Sequence, residues 1–207
     1  KLNDYLRTGG MILFDTRDGG IPGASAASPE ARRLQLIAAP LDIPPLEPVP
    51  ADHRLTVAAV IARDAGFLLV EELIDGHLVL NQPAGHVEPG ESLLGAIVRE
   101  VAEETARPFT PEAVVGIYHW QPPAGGLPYL RVAVAGHCGE PVPGQALDAG
   151  IVGTAWLDRA ALAAEPGRLR SPMVLRAIDD YLAGARGALA TVTGLDRAAL
   201  LAAATRL

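Results

Sequence analysis

Glu100, Glu103 and Glu104 fall within five consecutive positions of "REVAEET", residues 99–105. A helix turns by ~100° per residue, so positions i, i+3 and i+4 share a face and the three carboxylates converge. Leu94, Ile97, Val98 and Val101 recur at helical spacing and form an apolar stripe pointing elsewhere. A solvated acidic face is the plainer reading of such a cluster, but it normally interleaves lysines at i+4. This one has none; its basic residue is Arg99, four positions before Glu103. Clustered carboxylates call for cations, and an oxygen-only ligand set suits a hard ion such as Mg²⁺ or Mn²⁺. Just upstream, "PAGHVEPGES" sets Gly85 between a strand and the turn that feeds the helix, with Glu91 near the helix start. Glycine permits close backbone approach, so its carbonyl could complete a metal site. The alternative is a turn glycine with no further role.

The elements that must position these groups begin at Leu55. "LTVAAVIA" and "GFLLVEEL" are apolar runs of β-formers separated by the turn signal "RDAG". "HLVLNQPAG" reads as a third strand ending in a loop, followed by the carboxylate helix. "AVVGIYHW" and "YLRVAVAGHC" read as two strands joined by "QPPAGGLP", and "GTAWL" as a short one. "SPMVLRAIDDYLAGAR" reads as a helix with Ser171 as N-cap and Pro172 at its first position. "LDRAALLAAATRL" is helical by propensity. Residues 1–50 differ. A short strand at Met11–Phe14 leads into turn-rich and then proline-dense sequence, with too few elements to close a core alone. The expected organisation is an N-terminal fragment with a proline-rich linker (1–50), a catalytic domain (51–185) and a helical tail (186–207). Removing the first segment is expected to leave the domain folded.

Hydrophobic residues make up 49% of the 207 positions and aromatics only 4%, so the core must come from Ala, Val, Leu and Ile. The formal charge of −7 argues against a nucleic-acid polymer as partner. A nucleotide held through metal ions stays compatible with it. The single Cys138 cannot form an internal disulfide, which fits a reducing, cytoplasmic setting, and its place in an apolar run favours a buried structural thiol. The first residues contain no continuous apolar run of the signal-peptide kind, and nothing approaches the ~20 apolar residues of a membrane span. Because the chain begins at Lys1, its natural start is expected upstream.

Gly85, Glu91, Arg99, Glu100, Val101, Glu103 and Glu104 fit the Nudix box, G-x5-E-x7-R-E-U-x-E-E-x-G-U with U aliphatic. The match fails at its last two positions, where Ala106 stands for glycine and Arg107 for the aliphatic residue. "LNQPAGHVEPGESL", "LDAGIVGTAWL" and "LRSPMVLRAIDDYL" extend the likeness, and residues 55–185 resemble the NudJ-type phosphatase branch of the Nudix family. Residues 1–50, with "YLRTGG" running into a strand that ends "FDTRD", resemble a fragment of an uncharacterised bacterial α/β domain family.

The resemblance implies an α/β/α sandwich around a mixed sheet and metal-dependent hydrolysis of a phosphoanhydride. The substrate class is small organic diphosphates, thiamine diphosphate or its pyrimidine precursor, or nucleoside di- or triphosphates. Gly85, Glu100, Glu103 and Glu104 would hold Mg²⁺ or Mn²⁺, with Glu103 or Glu104 as general base. Arg99 would orient the carboxylates, and Glu91 would bind metal through water or brace its loop. Relatives often draw a further acid from a loop after the box; Asp148 is the candidate, with a plain loop or capping role equally open. Trp120 and Tyr129 could stack on an aromatic ring. Asn81, Gln82 and His86 could meet a base or phosphate. For each of these, a core, turn or surface role is the alternative. The chain is expected to be a monomer or homodimer. The competing expectation is a catalytically inactive Nudix-fold module that binds a nucleotide or partner. Its intact carboxylates speak against that. At Ala106 a left-handed cap would cost about 1 kcal/mol, and Pro108 is expected to end the helix by restricting Arg107 instead.

Overall fold

The computed structural model describes residues 53–192, except 65 and 124. The expected strand at 11–14, the linker and the helix at 195–207 lie outside the described residues. The contacts divide the chain after His53, and the unit described here begins at Arg54.

Strand β1 (Arg54–Arg63) is central. Val57, Ala59 and Ile61 alternate with Val60, so the strand buries apolar side chains on both faces. That is why it reads as one continuous hydrophobic run in the sequence. The strand pairs with β4 (Ala84–His86) near its start, from Thr56↔His86 to Ala58↔Ala84. On its other side it runs parallel to β6 (Tyr129–Cys138), from Arg54↔Tyr129 to Ile61↔Gly136. Strand β5 (Phe109–Trp120) pairs antiparallel with β6. At its far end β1 turns through Asp64, φ 56°, into β2 (Gly66–Ile74), which pairs antiparallel with β3 (His77–Asn81) and β7 (Ile151–Asp158). Asp75 and Gly76, with φ 49° and 78°, supply the two left-handed positions of a tight β2–β3 hairpin. The result is a seven-stranded mixed sheet.

Helices cover both faces, giving the expected α/β/α sandwich. Helix α1 (Leu93–Thr105) lays Ala96, Ile97 and Val101 on Val57, Ala59, Ile61 and Leu68. On the opposite face, α2 (Arg159–Ala164) contributes Leu162, and α3 (Met173–Leu182) contributes Val174, Ala177 and Ile178. Cys138 packs half-buried against the α1-side cluster, and burial raises its thiol pKa, as suits an inert structural role.

Several local expectations change. Val98 is 37% exposed and leaves the apolar stripe of α1; Ala96 takes its place against the sheet. Strand β4 and helix α2 were not foreseen, although Asp158 caps α2 by accepting from the Ala161 N–H at 2.7 Å. Ser171 does not cap α3 through its side chain: its Oγ is buried without a hydrogen-bond partner, and its carbonyl accepts from Val174. Of the expected tail, the described residues reach a short 3-10 helix, Leu189–Val192, and the rest lies outside them. Gly187 exchanges two backbone hydrogen bonds with Val114, and Val192 packs beside Val114, Val132 and Val134.

Helix α1 starts at Ser92, whose Oγ accepts from Gly95 N–H at 3.0 Å. It ends at Ala106 in the left-handed conformation, φ 54° and ψ 24°, the route expected of a glycine. Pro108 does not substitute for it. The loop that follows β6 then takes up carbonyls of the last turn. Val142 N–H donates to Ala106, the Gln145 side-chain amide to Ala102 at 2.7 Å, and Asp148 N–H to Glu103 at 3.0 Å. Satisfying these end groups carries Asp148 to the acidic side of the helix. Arg107 is buried, donates to the Gly139 carbonyl and lies 6.0 Å from the Trp156 ring centroid.

Candidate active site

The site forms where α1 meets the edge strand β4. Gly85 faces the Glu100 carboxylate so closely that a Cβ at this position would overlap it. Gly85 lies within β4 with no left-handed backbone, so the glycine is required by a side chain of the box helix and not by a turn. Next to it, Ala84 N–H donates to Glu104 Oε2 at 2.8 Å. Arg99 organises the remaining acids. Its Nε and Nη2 grip both oxygens of Glu91 at 2.9 Å, and Nη1 reaches Glu100 at 2.8 Å and Glu103 at 2.9 Å. Nη2 also donates to the His86 carbonyl at 3.0 Å, tying the loop to the helix.

Burial is the main cause of the unusual acidity here. It lifts Glu104 to about 8, with Glu100, Glu72 and Asp148 adding repulsion against the relief from Ala84 N–H. Burial raises Glu100 as well, opposed by Arg99. Glu91 is drawn below the ordinary carboxylate range by its hydrogen bonds to Arg99. The donor set fits a hard divalent cation. It is all oxygen, and Glu100 and Glu104 carry a desolvation and repulsion cost that a cation between them would remove. As the side chains stand, no three His, Cys, Asp or Glu groups among the described residues converge on one ion position. Arg99 draws Glu91, Glu100 and Glu103 to itself.

A cavity of about 400 Å³ opens beside Ala84 and Gly85 and extends along the sheet to Trp120 and Tyr129. The two rings lie 5.6 Å apart at 35°, and Arg54 donates to the Tyr129 hydroxyl at 3.0 Å. Asn81 and His86 also line the cavity. His86 is kept below its ordinary pKa by partial desolvation, then by Arg54 and Arg131. Gln82 is brought elsewhere: it is 1% exposed and donates to the Val174 carbonyl at 3.1 Å, bracing β3 against α3. Asp148 is exposed but near enough for Glu100 and Glu104 to feel its charge.

Sequence reasoning gave no site role to Thr56, Glu72, Arg131, Arg170 or Ser171, all of which line the cavity. The signal for two of them was present. Arg131 interrupts the apolar run "YLRVAVAG", and Glu72 lies within the strand "GFLLVEEL".

A carboxylate-rich strand–loop–helix on this sandwich defines a class. The NUDIX domain family model matches residues 52–177, and the chain belongs to the Nudix family. It is a hydrolase of phosphoanhydrides. Among particular relatives, it is 35% identical over 133 residues to Phosphatase NudJ of Escherichia coli strain K12, covering 64% of this chain and 86% of that protein. The NudJ phosphatase of Shigella flexneri aligns with the same figures. A solved NUDIX hydrolase from Nitrosomonas europaea is 44% identical, covers 70% of this chain and 99% of its own, and superposes with a TM-score of 0.68. A MutT NUDIX hydrolase from Burkholderia pseudomallei, 22% identical over 61% of this chain and 96% of its own with a TM-score of 0.51, shares the fold. Residues 1–63 match the model of a domain of unknown function, DUF4159. No helix among the described residues is long and apolar enough to cross a membrane.

Proposed function

We propose that this Nudix hydrolase removes the terminal phosphate of a small organic diphosphate carrying an aromatic ring, thiamine diphosphate or its pyrimidine diphosphate precursor, with nucleoside di- and triphosphates as further substrates. The observation that carries the reading is one continuous cavity. The buried carboxylates flank its Ala84–Gly85 edge, and Trp120 and Tyr129 line it farther along the sheet. One part suits phosphates with a cation, the other a flat ring.

Glu100, Glu103, Glu104 and the Gly85 carbonyl would hold Mg²⁺ or Mn²⁺. When bound, the cation supplies charge neutralisation for the phosphoanhydride and lowers the pKa of water. Arg99 fixes the orientation of Glu100 and Glu103, and Glu91 locks Arg99 in place. Asp148 adds negative charge that favours the cation. A water oxygen bonds to phosphorus as the bridging P–O bond breaks. The water proton passes to Glu103 or Glu104, and the bridging oxygen leaves with the organic monophosphate. Glu103→Gln and Glu104→Gln each test this assignment: either is expected to lower turnover at least ~100-fold with the fold intact, and wild-type-like turnover in both would contradict it. A phosphate-release screen with thiamine diphosphate, the pyrimidine diphosphate and nucleotides, with and without Mg²⁺, tests the substrate. Release only in the presence of Mg²⁺ is expected. No release from any of them would return the chain to the binding-module reading.

A further inference from the structure

Arg131 has no part in the chemistry at the carboxylates, yet the fold buries it at considerable cost. It is 5% exposed, within the otherwise apolar run from Leu130 to Gly136. Its Nη1 donates to the neutral Asn81 amide oxygen at a long 3.3 Å, and its Nε has no partner. Glu72, the acid that would neutralise it, accepts from Asn81 Nδ2 at 3.0 Å and lies 3.7 Å from Arg170 Nε. Burial accordingly pulls Arg131 down to about 10, with Glu72 and Glu104 only partly opposing. A buried cation without a direct counter-charge is destabilising.

Two more buried polar atoms beside the same cavity lack partners, Thr56 Oγ1 and Ser171 Oγ. Thr56 is the cross-strand neighbour of Arg131 in the β1–β6 pair, and Ser171 follows Arg170. A guanidinium and two hydroxyls can all donate, which is the chemistry that receives an anionic oxygen.

We infer that Arg131, with Thr56, Ser171 and Arg170, forms a phosphate-reading subsite that holds the substrate phosphate the carboxylate cluster does not. This rests on the phosphoanhydride reading above. It makes Arg131 a specificity-determining residue: a diphosphate fills both the cation site and this subsite, whereas a monophosphate fills only one. The cavity then distinguishes substrates by their phosphate count before their ring.

The test is binding without turnover. The full chain, with Mg²⁺ present, is melted with methylenediphosphonate, whose P–C–P bridge is not hydrolysed, with orthophosphate and with unphosphorylated thiamine. Orthophosphate, filling one position only, is expected to shift the wild-type melting temperature less than the diphosphonate, and an equal shift would count against the subsite. Methylenediphosphonate is expected to raise the melting temperature of the wild-type protein. Arg131→Met, freed of an unpaired buried charge, is expected to melt at or above wild type without ligand and to bind the diphosphonate about 10-fold or more weakly. Arg131→Lys keeps the charge but lacks the two-pronged fork and recovers only part of the affinity. Thr56→Val removes a hydroxyl while leaving the guanidinium in place. It is expected to weaken the same shift, so the loss does not rest on one variant's folding. An equal diphosphonate shift in wild type and Arg131→Met, or none in wild type, overturns the subsite. So does a shift by unphosphorylated thiamine that vanishes in Arg131→Met, which would mean the guanidinium reads the ring. Since no bond is broken in this assay, its outcome is separate from whether the chain hydrolyses any diphosphate.

Discussion

Glu104 states the cost of the site most clearly. Burial lifts it to about 8, so the metal-free fold holds a proton that an unfolded chain releases near pH ~4.3. Between those values the folded state binds more protons than the unfolded one, and stability must fall as pH rises from about 5 to about 8. Glu104→Gln keeps an acceptor for Ala84 N–H and removes the ionisation. Its melting temperature in EDTA should therefore vary less with pH and exceed wild type at pH 8, while turnover drops at least ~100-fold. A wild-type melting temperature that does not fall between pH 5.5 and 8 would contradict the assignment. Gly85 gives a second expectation. In Gly85→Ala the new Cβ must displace the Glu100 carboxylate. Turnover should fall by ~100-fold with the circular dichroism spectrum unchanged, since displacements near 1 Å carry that penalty. The acidic spacing and the glycine were legible because each obeys a periodicity or a backbone rule. Thr56 was not, because a polar residue in a strand looks the same whether it faces solvent or a cavity; Arg131 could be seen to interrupt an apolar run, but the sequence does not say what it faces.

Helix α1 shows how element ends were harder to read than element bodies. Its start at Ser92 and its buried Ile97 and Val101 follow from capping and period. Its end does not: the glycine of the box is replaced, and the helix still closes through a left-handed residue. Ala106 bears the cost of that conformation, offset in part by its buried methyl group. Ala106→Gly is expected to stabilise the domain by about 0.5–1 kcal/mol, a rise of about 1–3 °C in melting temperature, without altering turnover. A lower melting temperature would mean that the methyl contacts outweigh the backbone strain. Arg107 accounts for the other departure from the box, since its stem fills the aliphatic position while its head meets Gly139 and Trp156. The loop contacts that bring Asp148 to α1 are non-local backbone bonds, for which sequence carries no periodic signal.

At the scale of the molecule, the net charge of −7 conceals a division within one cavity: carboxylates at the β4 edge, and Arg54, Arg131 and Arg170 along the wall. Composition reports the sum and cannot report that arrangement. The same scale decides what the first segment contributes to the hydrolase. The NUDIX and DUF4159 matches overlap at residues 52–63, which contain β1. That strand is paired to β6 along its length from Arg54 to Ile61, and to β4 and β2 on its other side. Val57, Ala58, Ala59, Val60 and Ile61 are at most 1% exposed. A strand committed on both edges and both faces belongs to the Nudix core, so the hydrolase needs the chain from about Arg54 onward; that it needs no residue before position 49 is our proposal. Deleting residues 1–48 should leave a cooperatively melting protein with unchanged kcat on the best diphosphate found. Loss of soluble protein, or of the melting transition, would show that the first segment is part of the folding unit.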